Sequence, residues 1–329
     1  MGSTGSTGSK TAAAAASAAT APSAAAGGRD AAGTATFDLS GERAGEAVAV
    51  FDGVWLIATR HRPGLSKRMF EVNNRCFVFR LFDQQAGRPV LLVVNAVDPA
   101  QAIPEVRRLE RETGLAVAAI VSPGGGHHLL LEPWHAEFKE AKILVGPERI
   151  PRTANGQKLM RLPRVAPMSL GDPLTQFRGQ LDAVLFHGLG GPPDHPTPAE
   201  GAKDTRLAFM TRMVKFMTAP QRDPVDELWL HHVASGSVIA GENLAWHYPA
   251  AALRGAPFML RGMIKPDRVA VFTAARKVRD RAEVAACWRR ILAWPCRTLM
   301  TYHDVPATAF VGDGRAALGA AVARSGQLA

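Results

Sequence analysis

From about residue 37 onward, apolar positions recur along the chain in two rhythms, and each predicts a different element. Short runs rich in β-branched and aromatic residues, closed off by turn residues, lie at 48–59, 76–82 and 89–94. Such runs form strands. The Pro63-Gly64-Leu65-Ser66 turn and the polar stretch 83–88 separate them. Residues 100–113 predict an amphipathic helix, because Ile103, Val106, Leu109 and Leu115 recur near helical spacing with Arg and Glu between them. The unbroken apolar run 115–121 suits a strand buried on both faces. It ends at Pro123 and Gly124-Gly125-Gly126, where a backbone can turn sharply or approach a ligand closely. Helical character resumes over 128–141, and 142–145 predicts another short strand.

The second half repeats the alternation. Strands are expected at 181–187 and 227–232, with 238–240 completing a hairpin through Ser235-Gly236. A Pro/Gly-rich loop, 188–201, and a helix-like stretch, 206–218, lie between them. A helix over 281–293 and a strand over 297–302, ending at His303, follow. Strand, helix and strand alternating in both halves predict a layered α/β fold. Residues 1–36, first Gly, Ser and Thr and then mostly Ala, offer too little to pack and predict a disordered tail. The globular domain is expected over 37–310, with a C-terminal helix or tail over 311–329.

Composition narrows the function classes. At 329 residues, with 47% hydrophobic and 21% charged positions, the chain can bury the core of one large α/β sandwich. A formal charge of +10 would suit a polyanion. The basic residues are dispersed, however, and aromatic side chains that stack bases are sparse, which argues against nucleic acid. No apolar run is long enough to span a membrane. The three cysteines, Cys76, Cys287 and Cys296, lack paired spacing and are expected as buried thiols in a reducing, cytoplasmic setting. The stretch before Asp30 has no acidic residue, as in an organellar targeting peptide. Its only basic residues are Lys10 and Arg29, so an intrinsic tail is the preferred reading.

Candidate chemistry follows from where the histidines fall. His127-His128, His187 and His303 each close an apolar, strand-like run, and Glu242 follows the run 238–240. Loops at strand ends are where α/β folds gather functional side chains. Imidazole with carboxylate is a ligand set for zinc or iron. His231-His232 lies within a strand, so its two side chains should point to opposite faces. His195 and His247 have no motif around them, and the triple glycine reads as a tight turn in preference to an anion site.

This series resembles the metallo-β-lactamase superfamily. That family sets H-x-H-x-D-H in a loop between a strand and a helix. A lone His follows a later strand, an Asp follows a hairpin strand, and a last His ends a late strand. The same order runs here over residues 45–305. Residues 122–134, with His127-His128 and Leu129-Leu130-Leu131-Glu132-Pro133-Trp134, are similar to a reduced-motif branch in which Asp-His is rewritten as His-His. The resemblance implies a four-layer αβ/βα sandwich. Pro123 and Gly125 stand where the first two histidines would be, so only His187 remains for the first metal position. The second keeps His127, His128 and His303, with Glu242 in place of the bridging Asp, a set for one Zn²⁺ or Fe²⁺. The implied activity is hydrolysis of a small ester, thioester or amide by an activated water, with His187 across the cleft orienting substrate or water. Two other readings are a metal-free member that binds a ligand or partner in the old cleft, and a mononuclear iron oxygenase.

Overall fold

The computed structural model describes residues 35–36, 44–61, 72–124, 127–190, 224–241, 244–245, 269–271, 278–303, 310–311 and 313–328. Strand β1 (Ala35–Thr36) precedes a hairpin of β2 (Ala47–Phe51) and β3 (Val54–His61), followed by β4 (Val72–Asp83) and β5 (Arg88–Val94). Helix α1 (Pro99–Thr113) leads to β6 (Val117–Val121), α2 (Leu131–Glu137), β7 (Lys142–Val145), α3 (Ala154–Leu159) and β8 (Val165–Pro167). Then come β9 (Leu181–Leu189), β10 (Val225–His232), β11 (Ser237–Ala240), β12 (Leu244–Ala245) and β13 (Ala270–Val271). Helix α4 (Arg281–Ala293), β14 (Thr298–Thr301), β15 (Phe310–Val311) and α5 (Gly314–Ser325) close the chain.

Two sheets carry the fold. The first has seven strands in the order β2-β3-β4-β5-β6-β7-β8, antiparallel up to β5 and parallel from β5 to β8. The second has six, β1-β15-β14-β11-β10-β9, in which β11 and β14 are the parallel pair.

Residue alternation along the strands sorts the side chains into three cores. Phe77, Phe79, Leu92 and Val94 meet Leu185, Leu228, Leu230 and Ile239 between the sheets. Cys76, Val78, Leu91 and Val93 point the other way, onto Val106 and Leu109 of α1 and Trp134 of α2. Val184, Phe186 and Trp229 of the second sheet back onto Trp288 and Ile291 of α4 and Leu318 and Val322 of α5. Helix, sheet, sheet and helix therefore form the expected four-layer αβ/βα sandwich. Strands buried on both faces must be apolar at every position, which is why their sequences show runs and not alternation.

The helix boundaries have local causes. Asp98 caps α1 by accepting from the Ala100 amide at 3.0 Å, Pro99 presets the first turn, and Gly114 leaves it at φ 68°. Asp280 caps α4 through the Glu283 amide at 3.1 Å.

Three expectations change. The run 48–59 is two strands, because Asp52-Gly53 makes a two-residue loop with Gly53 at φ 68°. The helix expected over 128–141 shortens to α2, since Phe138 leaves helical geometry at φ −104°, ψ 64°. Within the expected tail, Ala35 and Thr36 pair with Val311 and Phe310 at the edge of the second sheet. The rest of that tail, most of the 188–201 loop and the 206–218 stretch lie outside the described residues. All three cysteines are buried and free. Among the described residues, no helix is long and apolar enough to cross a membrane.

Candidate functional site

The parallel strands β5, β6 and β7 end on one edge of the first sheet, where Asn95 follows β5 and Ser122 follows β6. This edge meets the second sheet directly: the Leu228 amide of β10 donates to the Pro123 carbonyl after β6, at 2.6 Å. His127 follows β6 and His303 follows β14, so the candidate histidines arrive from opposite sheets. Their rings lie 4.9 Å apart with an interplanar angle of 20°. Two imidazoles bound to one ion at about 2.0–2.1 Å leave their ring centres roughly 5 Å apart. The contact brings the two imidazoles together across the sheet junction as a near-parallel ring pair.

Asn95, the first residue after β5, orients His127. Its side-chain amide donates to Asn74 Oδ1 and to the Arg75 carbonyl, both at 2.8 Å. Those two acceptors fix the amide orientation, so Oδ1 is the atom facing His127 Nδ1 at 2.7 Å. Nδ1 must then carry the proton, and Nε2 is left as the atom with a lone pair, the arrangement a metal-binding imidazole needs. Asn95 is fully buried and stands at φ 71°, in the left-handed region that Asn tolerates.

His128 is held differently. Its Nε2 lies 3.2 Å from Thr153 Oγ1, the hydroxyl that caps α3 by accepting from the Gly156 amide at 2.9 Å. The adjacent histidines thus face different partners, one at the sheet junction and one at the start of α3. Glu242 lies outside the described residues, as do Gly125 and Gly126. His187 belongs to a third environment. A register shift between Val225 and Glu227 of β10 falls opposite it, and its ring rests on the outer helix α4. Nε2 is 3.1 Å from Glu283 Oε2, and Nδ1 faces the Leu185 carbonyl at 2.9 Å and Cys287 Sγ at 3.7 Å. The Cys287 thiol, the Leu185 carbonyl and the Glu283 carboxylate hold the imidazole's pKa up to about 9 against the opposing pull of burial. No contact among the described residues joins His187 to His127 or His303. His231 and His232 do diverge as expected, towards Asp182 and Ser235 respectively.

Two carboxylates reach this edge from the head of β10 that the sequence reading passed over. Glu227, almost fully buried, lays its carboxylate against Gly124: a Cβ added there would stand 2.1 Å from Oε2. Asp226 accepts from the Glu148 and Arg149 amides at 2.8 and 3.2 Å, tying the loop after β7 to the second sheet. Burial pushes its pKa up to about 6 despite those two bonds. Tyr302, also buried, has no hydrogen-bond partner for its hydroxyl among the described residues. Burial, then the Glu227 charge, raises its pKa well above the ordinary phenol value. The visible signal for the carboxylates was Asp226-Glu227 inside a strand that is otherwise apolar up to its histidines. For Asn95 it was a lone amide closing the run Leu91-Leu92-Val93-Val94.

The Asp226 shift has a measurable consequence. A carboxyl whose folded pKa exceeds its unfolded value binds more protons folded than unfolded, so stability falls as pH rises from about 4 to about 6. Asp226→Asn keeps an acceptor for the two amides and removes the buried charge. Denaturant titrations should show the variant at least as stable as the parent at pH 7, with a flatter profile between pH 4 and 6. An unchanged profile would refute the assignment.

Among the described residues, no group of three or more His, Cys, Asp or Glu side chains is arranged to hold a metal ion. The described residues contribute the His127–His303 ring pair, with His127 oriented by Asn95, and the buried Asp226 and Glu227 on the head of β10.

The overall architecture matches solved structures. A metallo-β-lactamase from Erythrobacter litoralis with β-mercaptoethanol in the active site aligns with a TM-score of 0.50 and 12% identity, covering 86% of this chain and 98% of that one. A metallo-β-lactamase from Hirschia baltica aligns at TM-score 0.49 and 11% identity over 85% and 97% of the two chains. The mono-zinc form of FIM-1 from Pseudomonas aeruginosa aligns at 0.47 and 11% over 86% and 96%. No protein-family model and no curated protein matches the sequence. With both sheets, their flanking helices and the coverage in agreement, the chain has the metallo-β-lactamase fold.

Proposed function

We propose that the chain is a metallo-hydrolase-like protein with a reduced, mononuclear site, acting on a small ester, thioester or amide. The observation that carries this reading is the meeting of His127 and His303 from opposite sheets at 4.9 Å, with His127 oriented by Asn95. Glu242 is the proposed carboxylate ligand and His128 a further imidazole, provided its contact with Thr153 is exchanged for the ion. One Zn²⁺ or Fe²⁺ in that set would supply Lewis-acid activation of a water. The chain's own contribution is to hold His127 in one tautomer and to exclude bulk water with the buried face of Tyr302. His187 pairs with Glu283 on α4 and its pKa is raised, which does not suit it to accept a proton.

A second reading, a metal-free ligand-binding cleft, is favoured by one feature. The Glu227 carboxylate lies against Gly124, beside the positions where the family's first two histidines would stand. Metal analysis separates the two. Protein purified without chelators or a His tag is expected to carry about one ion per chain, and His303→Ala to lose it. No uptake after loading with Zn²⁺ or Fe²⁺ would overturn the hydrolase in favour of the second reading. A ferrous form that reacts with oxygen would overturn it in favour of an iron oxygenase.

A further inference from the structure

At the far end of β9, on the outer face of the second sheet, lies a cavity of about 280 Å³ lined by Asp172, Arg178, Leu181, Asp182, Ala183, Arg290 and Trp294. Leu181 pairs with His232, at the opposite end of β10 from Asp226 and Glu227. The cavity therefore lies at the other end of β9 and β10 from the Asp226–Glu227 edge.

Its charges are arranged unequally. Arg178 pairs with Asp172 at 2.5 Å and lies within the field of Asp182 as well. The Arg290 guanidinium is fixed by main-chain carbonyls, Nη1 on Gly171 at 2.7 Å and Nη2 on Ala183 at 3.2 Å, and has no carboxylate partner among the described residues. A guanidinium has five N–H donors, so fixing it this way leaves donors and a full positive charge for a ligand anion. On another wall, the Asp182 carboxylate accepts from His231 Nδ1 at 3.2 Å and keeps about a third of its side-chain surface exposed. The buried His231 ring also stacks on Trp294, with centroids 5.6 Å apart at 17°. One histidine thus positions both the acidic wall and the aromatic wall, while Arg290, one helical turn before Trp294, supplies the basic one.

A positive anchor, a negative anchor and an indole face within a cavity of this size suit a small zwitterion. We propose that this cavity is a binding site for a free α-amino acid with an apolar or planar side chain. Its carboxylate would sit on Arg290, its ammonium on Asp182 and its side chain against Trp294. The site does not depend on the state of the cleft or on any metal there.

Isothermal titration of the full chain with free amino acids, acetate and methylammonium tests this. Saturable binding of an apolar or aromatic amino acid in the millimolar range or tighter is expected. Arg290→Gln and Asp182→Asn should each weaken it at least tenfold, and Arg289→Gln should leave it unchanged. Thermal melts of the variants check that they fold, and the two substitutions lie on separate elements, so one misfolded variant leaves the other decisive. Absence of binding by every amino acid would overturn the proposal. So would acetate binding as tightly as the amino acid, or binding that survives in a folded Arg290 or Asp182 variant.

Discussion

Asn95→Ala is expected to destabilise the protein by about 3–5 kcal/mol and to weaken any metal bound by His127 by roughly 10–100-fold. The substitution removes three buried hydrogen bonds at once, to Asn74, Arg75 and His127. Each buried partner left unsatisfied costs about 1–3 kcal/mol. The backbone adds to this, because φ 71° is a conformation that Asn and Gly adopt more readily than Ala. Asn95→Gly separates the two contributions. It relieves the backbone but not the hydrogen bonds, so it should recover about 1 kcal/mol of stability and none of the lost metal affinity. Equilibrium unfolding with a competitive metal-binding assay reads both quantities. If Asn95→Gly restored binding, the amide would not be what orients His127.

The second large effect lies at Gly124. Gly124→Ala places a methyl 2.1 Å from Glu227 Oε2 and 2.6 Å from its Cδ. Glu227 is buried, so its carboxylate cannot swing into solvent, and the backbone beside it is pinned by the Leu228–Pro123 hydrogen bond. Overpacking of this kind costs about 1–3 kcal/mol. In a Glu227→Ala background the clash disappears, and Gly124→Ala should then be close to neutral. A double-mutant cycle that instead gave additive costs would show that the two residues do not share this space.

These two sites mark where sequence reading ended. The strands at 142–145 and the helix at 281–293 were legible to the residue, because their apolar rhythm and capping residues are local. The hairpin within 48–59 was legible in Asp52-Gly53 but hidden by the apolar run around it. The polar network was harder. Asn74, Asn95 and His127 come from three separate strand ends, and only the parallel pairing of β5 with β6 and the antiparallel pairing of β4 with β5 bring them together.

The main strands and helices and their alternation into a layered α/β fold were determined by the sequence alone, since periodicity and turn chemistry act over a few residues, and the four layers followed from the family resemblance. The tertiary structure decided which of the candidate histidines meet. His127 and His303 converge because two sheets end on one edge, whereas His128, one residue along, is held at the α3 cap. His187 is drawn onto α4 by Cys287 and Glu283, and Glu227 comes against Gly124 from the opposite sheet. Each of these outcomes depends on a contact between residues distant in the chain. A side chain's local pattern says which face it occupies, but its hydrogen-bonding partner is set by what the fold places opposite.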